Sequence, residues 1–109
     1  QIGFFYTDDH WVDEDAWREH VATDEGRQRL RALADALAQA LGTDRPRTAD
    51  EFEAVVRELA ERLGVGAGQL IHPARVALTG QSRSAGIFEV MELVGALRTV
   101  ARLGRAAAD

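Results

Sequence analysis

Residues 48–64 read TADEFEAVVRELAERLG, and this stretch decides the fold class. Thr48 and Glu51 have the spacing of a capping box, in which a hydroxyl and a carboxylate each satisfy a free backbone N–H at a helix start. Phe52, Val55, Val56, Leu59 and Leu63 follow at helical spacing, and Gly64 ends the run. The same grammar holds upstream. Asp13, Glu14 and Asp15 suit a helix N-terminus, where the backbone dipole favours negative charge, and that helix runs to about Ala22. A second helix opens at Thr23 or Asp24. Leu30, Leu33, Leu37 and Leu41 form its stripe, Ala34 and Ala40 widen it, and Gly42 suits its C-cap. Thr43 to Arg47, with Pro46, then form a loop.

Downstream, Gly64 to Gly68 form a flexible break. Residues 69–80 read as a helix, with Pro73 in its first turn, Gly80 at its end, and Leu70, Ala74, Ala77 and Leu78 on one face. Gln81 to Gly86 form a polar loop. From about Ala85 the residues Phe88, Met91, Val94, Leu97, Val100 and Ala101 recur at helical spacing, with Gly95 bending or splitting the stretch. The fold class is therefore all-α, a bundle of five to six short helices.

Residues 1–12 stand apart. Phe4, Phe5, Tyr6, Trp11 and Trp17 are five of the seven aromatics. The run Phe4-Phe5-Tyr6 does not alternate with polar residues and makes a poor amphipathic strand. We read residues 1–12 as a junction from a preceding subdomain and 13–109 as the helical domain. The first residue is Gln, which fits a piece of something longer.

Composition narrows the function. A chain of 109 residues with 46% hydrophobic content folds as one domain and is not disordered. No apolar run approaches the ~20 residues of a membrane span, and no signal peptide opens the chain. The absence of cysteine excludes disulfides and thiolate metal sites and fits a cytoplasmic protein. The net charge of −5 is uneven: residues 1–69 hold 15 acids and 8 arginines, residues 70–109 hold 3 acids and 5 arginines. A polyanion would meet the C-terminal part. All 13 basic residues are Arg, which a GC-rich codon bias explains.

Gly64, Gly66 and Gly68 do not form a phosphate-cradling loop, because they follow a helix and no Lys is present. His10, His20 and His72 lack zinc-motif spacing, so no metal site is expected. His72, before Pro73, suits a turn or a ligand contact. Asp8, Asp9, Asp13, Glu14 and Asp15 lack the pattern of a calcium loop. Ser82 and Ser84 have no evident base, and no catalytic residues are expected. The informative stretch is residues 72–90, HPARVALTGQSRSAGIFEV: an Arg on an apolar helix, a hydroxyl-rich loop, then a helix N-terminus. Such a set can hold extruded single-stranded bases and phosphates. In the bland alternative Arg75 pairs with Glu89 or Glu58.

The string Pro73 to Gly80, a short gap, then Gly86-Ile87-Phe88-Glu89-Val90-Met91-Glu92-Leu93-Val94-Gly95 resembles the C-terminal anticodon-binding region of bacterial glutamyl-tRNA synthetases. Phe4 to Asp9 is similar to that family's aromatic-then-acidic junction, and Leu59 to Gly64 to the helix before its arginine motif. The resemblance implies an all-helical anticodon-binding domain of a class I synthetase. Its parent would ligate glutamate to tRNA with ATP and magnesium in a separate N-terminal domain. No HIGH-like or KMSKS-like motif occurs here, so no cofactor and no catalysis are expected within these residues.

Carried over, Arg75 matches the family arginine. Ser84, Ala85, Gly86 and Ile87 match the loop that meets the first two anticodon nucleotides, with an apolar contact from Ile87. Arg83, Arg98 and Arg102 are candidate phosphate contacts, and Arg105 is a further one. Ala85 stands where the family has Pro, and Ala96 where it has Lys. The expected partners are the anticodon loop of the glutamate tRNA and the preceding domains of the same synthetase, with no membrane. The alternative is a free-standing derivative that acts as an interaction or regulatory module.

Overall fold

The computed structural model describes residues 4–7, 10–42, 45–80 and 86–108, those up to residue 12 as backbone. Its elements are β1 (Phe4–Thr7), β2 (His10–Asp13), α1 (Glu14–His20), α2 (Asp24–Leu41), α3 (Ala49–Leu63), α4 (Gly68–Thr79), α5 (Ile87–Val94) and α6 (Ala96–Ala108). The body is an all-α bundle, as the periodicity requires.

The starts and stops follow the expected chemistry. Asp13 caps α1, its carboxylate accepting from the N–H groups of Asp15 and Ala16 at 3.0 and 3.3 Å. Thr23 caps α2 through Gly26 N–H at 2.9 Å. At α3 the box closes reciprocally: Glu51 N–H donates to Thr48 Oγ1 at 3.3 Å, and Thr48 N–H donates to Glu51 Oε1 at 3.1 Å. Gly64 and Gly80 end α3 and α4 in the left-handed region, at φ 70° and 79°. The connection after Gly64 is compact, since Val65 N–H donates to the Ala60 carbonyl at 3.0 Å.

Three expectations change. First, the aromatic start is a hairpin: β1 pairs antiparallel with β2, Phe5 opposite Val12 and Tyr6 opposite Trp11. Cross-strand pairing supplies what the missing alternation concealed. Second, Pro73 lies inside α4 and not in its first turn, because the helix begins at Gly68. Pro73 has no N–H for the Gln69 carbonyl, yet its ring is buried on the core face with Leu70, Ala74 and Ala77. The first bonds, from Gln69 to the Gly66 carbonyl and from Leu70 to the Ala67 carbonyl, set the helix start earlier. Third, Gly95 at φ 92° splits α5 from α6 and resets the phase. Met91 stays buried, but Leu97 is 51% exposed and Ala101 is also exposed. Ala96, Thr99, Leu103, Ala106 and Ala107 are the buried side of α6.

The core is built from Leu30, Leu33 and Leu37 of α2, Phe52 and Val56 of α3, Leu70 and Val76 of α4, Met91 of α5 and Leu103 of α6. α2 and α6 share the most extensive contact, and α4 touches α1, α2, α5 and α6. α4 is therefore central, and its C-terminal end is fixed from several sides.

Thr99 is fully buried, and its Oγ1 has no hydrogen-bond partner among the described residues. An unmet buried hydroxyl costs about 1–3 kcal/mol. Thr99→Val keeps the shape and removes that cost, so its thermal midpoint should equal or exceed that of the wild type; a fall of several degrees would show that the hydroxyl is bonded.

The Glu51 carboxyl is held below its ordinary value of 4.5, first by the Thr48 backbone N–H, then by the Arg47 guanidinium, with Arg45 adding charge and desolvation opposing. Its folded value lies below its unfolded one, so the stabilisation is complete above the unfolded value and is lost as pH falls through the folded one. Glu51→Gln should lower the midpoint clearly at about pH 7 and much less at about pH 3. Equal losses would mean that the charge contributes nothing.

Candidate nucleic-acid interface

The site is assembled at the corner between α4 and α5. α4 closes on Gly80, whose N–H donates to the Val76 carbonyl at 2.7 Å. The Gly80 carbonyl accepts from Asp13 N–H at 2.6 Å. One residue thus caps α1 with its side chain and holds the end of α4 with its backbone. α5 starts after Gly86, which is exposed and offers no side-chain cap. The backbone N–H groups of Ile87 and Phe88, in the first turn, have no intrahelical acceptor.

Arg75 lies on α4, five residues before Gly80. Its side chain is half-buried, and its Nε is buried without a hydrogen-bond partner among the described residues. Its carbonyl accepts from Thr79 Oγ1 at 2.7 Å. The pairing with Glu89 or Glu58 is not formed. Ile87 is 3% exposed and packs into the core, so its side chain is not available for the apolar contact assigned to it. Arg83, Ser84 and Ala85 lie outside the described residues.

The arginines of α6 are placed elsewhere. Arg98, Arg102 and Arg105 follow one another at spacings of four and three, along one side of the helix. Arg98 is exposed and lines a groove of about 650 Å³ with Arg45, Arg47, Glu92, Val94 and Leu97. This groove lies at the C-terminal end of α5, whereas Gly86 lies at the other end, roughly 12 Å away at 1.5 Å per residue. Gly80 and Gly86 thus flank residues 81–85, Arg75 lies on α4 before Gly80, and Arg98 lines a groove at the other end of α5. Glu92, at the groove end, joins α5 to the start of α3: its Oε1 accepts from Ala49 N–H at 2.9 Å, across 43 residues. No local signal could have revealed that bond.

A second cleft, of about 480 Å³, lies between α1, the start of α2 and the start of α4. There His72 stacks on His20, with ring centroids 5.8 Å apart and planes inclined by 28°. Among the described residues no group of three or more His, Asp or Glu side chains could hold a metal ion, and no helix is long and apolar enough to cross a membrane.

The described residues form a helical bundle preceded by an antiparallel pair of short strands. The family described as an anticodon binding domain matches residues 1–107, and the chain belongs to it. A glutamate–tRNA ligase of Moorella thermoacetica is 38% identical over 111 residues, covering 95% of this chain and 20% of that protein. A glutamate–tRNA ligase 2 of Rhodospirillum rubrum is 40% identical over 102 residues, covering 94% of this chain and 21% of that protein. The chain thus spans about a fifth of the length of these relatives. A crystal structure of a glutamate tRNA ligase from Elizabethkingia meningosepticum matches the fold with a TM-score of 0.75 at 23% identity, over 95% of this chain and 19% of that one.

The corner rests on Gly80, whose φ of 79° disfavours any Cβ by about 1–2 kcal/mol. Gly80→Ala should lower stability by about that amount while leaving helix content by circular dichroism unchanged below the transition. An unchanged midpoint would show that the turn relaxes without this left-handed residue.

Proposed function

We propose that this chain is the part of a glutamate–tRNA ligase that holds the anticodon loop of the glutamate tRNA. The observation that carries this reading is Arg75: a half-buried guanidinium on α4 with no carboxylate partner among the described residues, in a chain matched by an anticodon-binding family over residues 1–107. An arginine without an internal partner is ready for an external acceptor, and its planar fork suits a base edge. Gly86 is exposed at the start of α5, and the Phe88 N–H in that first turn has no intrahelical acceptor. Arg83, Ser84 and Ala85 stand between the two helices in sequence and would add to this contact. Arg98 and Arg102 on α6 would meet phosphates farther along the strand. Glutamate activation, with ATP and magnesium, belongs to a separate catalytic domain, and the preceding domains of the same enzyme adjoin residues 1–12. The whole enzyme works in the cytoplasm.

In titrations of this chain against a glutamate-tRNA anticodon stem-loop, Arg75→Ala should weaken binding by about 1–3 kcal/mol, roughly five- to 150-fold. A loop with a scrambled anticodon should bind more weakly to the wild type and show little dependence on Arg75. Unchanged affinity of the variant for the cognate loop would make Arg75 structural.

A further inference from the structure

α1 is tied to α4 at both ends. At one end His20, the last residue of α1, stacks on His72, the fifth residue of α4. At the other, Asp13 just before α1 donates its backbone N–H to the carbonyl of Gly80, just after α4, at 2.6 Å. The two helices are therefore antiparallel and in contact. α1 forms a splint about 10 Å long beside roughly the last 12 Å of α4. Arg75 lies between the two ties in sequence, and its carbonyl accepts from Thr79 Oγ1 at 2.7 Å within the final turn.

The two ties differ in kind. The imidazole stack is made by side chains, with His72 exposed and His20 partly so. The Asp13 bond joins backbone to backbone at a buried glycine. An N–H given to Gly80 is one that β2 does not use to pair with β1, so the end of α4 takes up the free edge of the strand. The carboxylate of Asp13, bonded to the N–H groups of Asp15 and Ala16, fixes the same residue from its other side. The constraint passes inward through the bond from Gly80 N–H to the carbonyl of Val76, the neighbour of Arg75. The last turn of a helix frays when its carbonyls lack partners. A ligand that needs the closed turn then binds in proportion to the fraction of molecules in which it is closed.

We propose that Asp13 is a positioning residue for RNA binding: its backbone N–H keeps the last turn of α4 closed and so holds Arg75 in the arrangement that receives the RNA. Asp13 makes no contact with the RNA itself. The inference rests on the anticodon-binding reading and deepens it, because it makes the contribution of an arginine on α4 depend on a residue of the hairpin. By linkage, RNA bound at Arg75 tightens the bond from Asp13 to Gly80 in return.

The test is a double-mutant cycle. Asp13→Pro removes the N–H; the φ of −70° accepts the ring, and Val12 before it is already extended. Asp13→Ala keeps the N–H and loses only the cap, so the difference between these two isolates the bond. Asp13→Asn keeps both. Each is made with and without Arg75→Ala and titrated with a glutamate-tRNA anticodon stem-loop and a scrambled one, below every thermal midpoint, with the midpoints measured alongside. Asp13→Pro should bind the cognate loop about two- to tenfold more weakly than Asp13→Ala when Arg75 is present, and equally when it is not. Asp13→Asn should restore wild-type affinity. In the wild type, the cognate loop should slow hydrogen exchange at the Asp13 amide, and should slow it less in Arg75→Ala; this readout also decides where Asp13→Pro does not fold. If the Pro and Ala variants bind alike with Arg75 present, or if exchange at Asp13 is unchanged on saturation, the bond positions nothing, while the anticodon-binding reading stands. If Asp13→Pro lowers affinity equally with and without Arg75, in step with the midpoint, Asp13 is only structural. If the wild type does not distinguish the cognate loop from the scrambled one, the anticodon-binding reading fails and the inference fails with it.

Discussion

The backbone bond from Asp13 N–H to the Gly80 carbonyl is the constraint on which the placement of α4 depends. It joins the last residue of β2 to the cap of α4. Asp13 also caps α1, so hairpin, α1 and α4 meet at one residue. Gly80 turns the chain left-handed at this point, which stops α4 and sets the direction in which the chain leaves it. On the far side of residues 81–85 the chain re-enters through Ile87, which is buried in the core. Gly80 and Ile87, on either side of residues 81–85, are therefore both held by the body of the fold.

The sequence made most of the helical frame legible because helix ends are written locally. Thr48 with Glu51, Thr23, Gly42, Gly64 and Gly80 act within a turn of their own positions, and each cap forms as expected. What was not legible depends on partners distant in sequence or on a change of phase. The hairpin of residues 4–13 shows itself through cross-strand register and not through the pattern of either strand. Leu97 seemed to continue the stripe of Phe88 and Met91 until Gly95 reset the helical phase. Pro73 suggested a helix start because its missing N–H is tolerated there, but the uncapped turn at Ala67 began α4 earlier. Of the candidate site, the place of Arg75 on a helix could be read; the buried state of Ile87 required coordinates.

Net charge describes this molecule poorly. A chain at −5 is an unpromising partner for a polyanion by its total. Many of its acids, however, are matched at short range: Glu14 by Arg18, Glu25 by Arg29, Glu53 by Arg57, and Glu51 by both Arg45 and Arg47. Such pairs cancel over distances shorter than the screening length of about 8 Å at physiological salt. The field near α4 to α6 is then set by local residues, where five arginines face three acids over residues 70–109.

Within that region the Nε of Arg75 is a buried donor with no hydrogen-bond partner among the described residues, and an unmet donor of this kind costs about 1–3 kcal/mol. α4, which carries it, packs against α1, α2, α5 and α6 and ends at the left-handed Gly80. The cost is therefore borne by a helix held from several sides, whose apolar face of Leu70, Ala74, Val76, Ala77 and Leu78 is buried in the core and outweighs it.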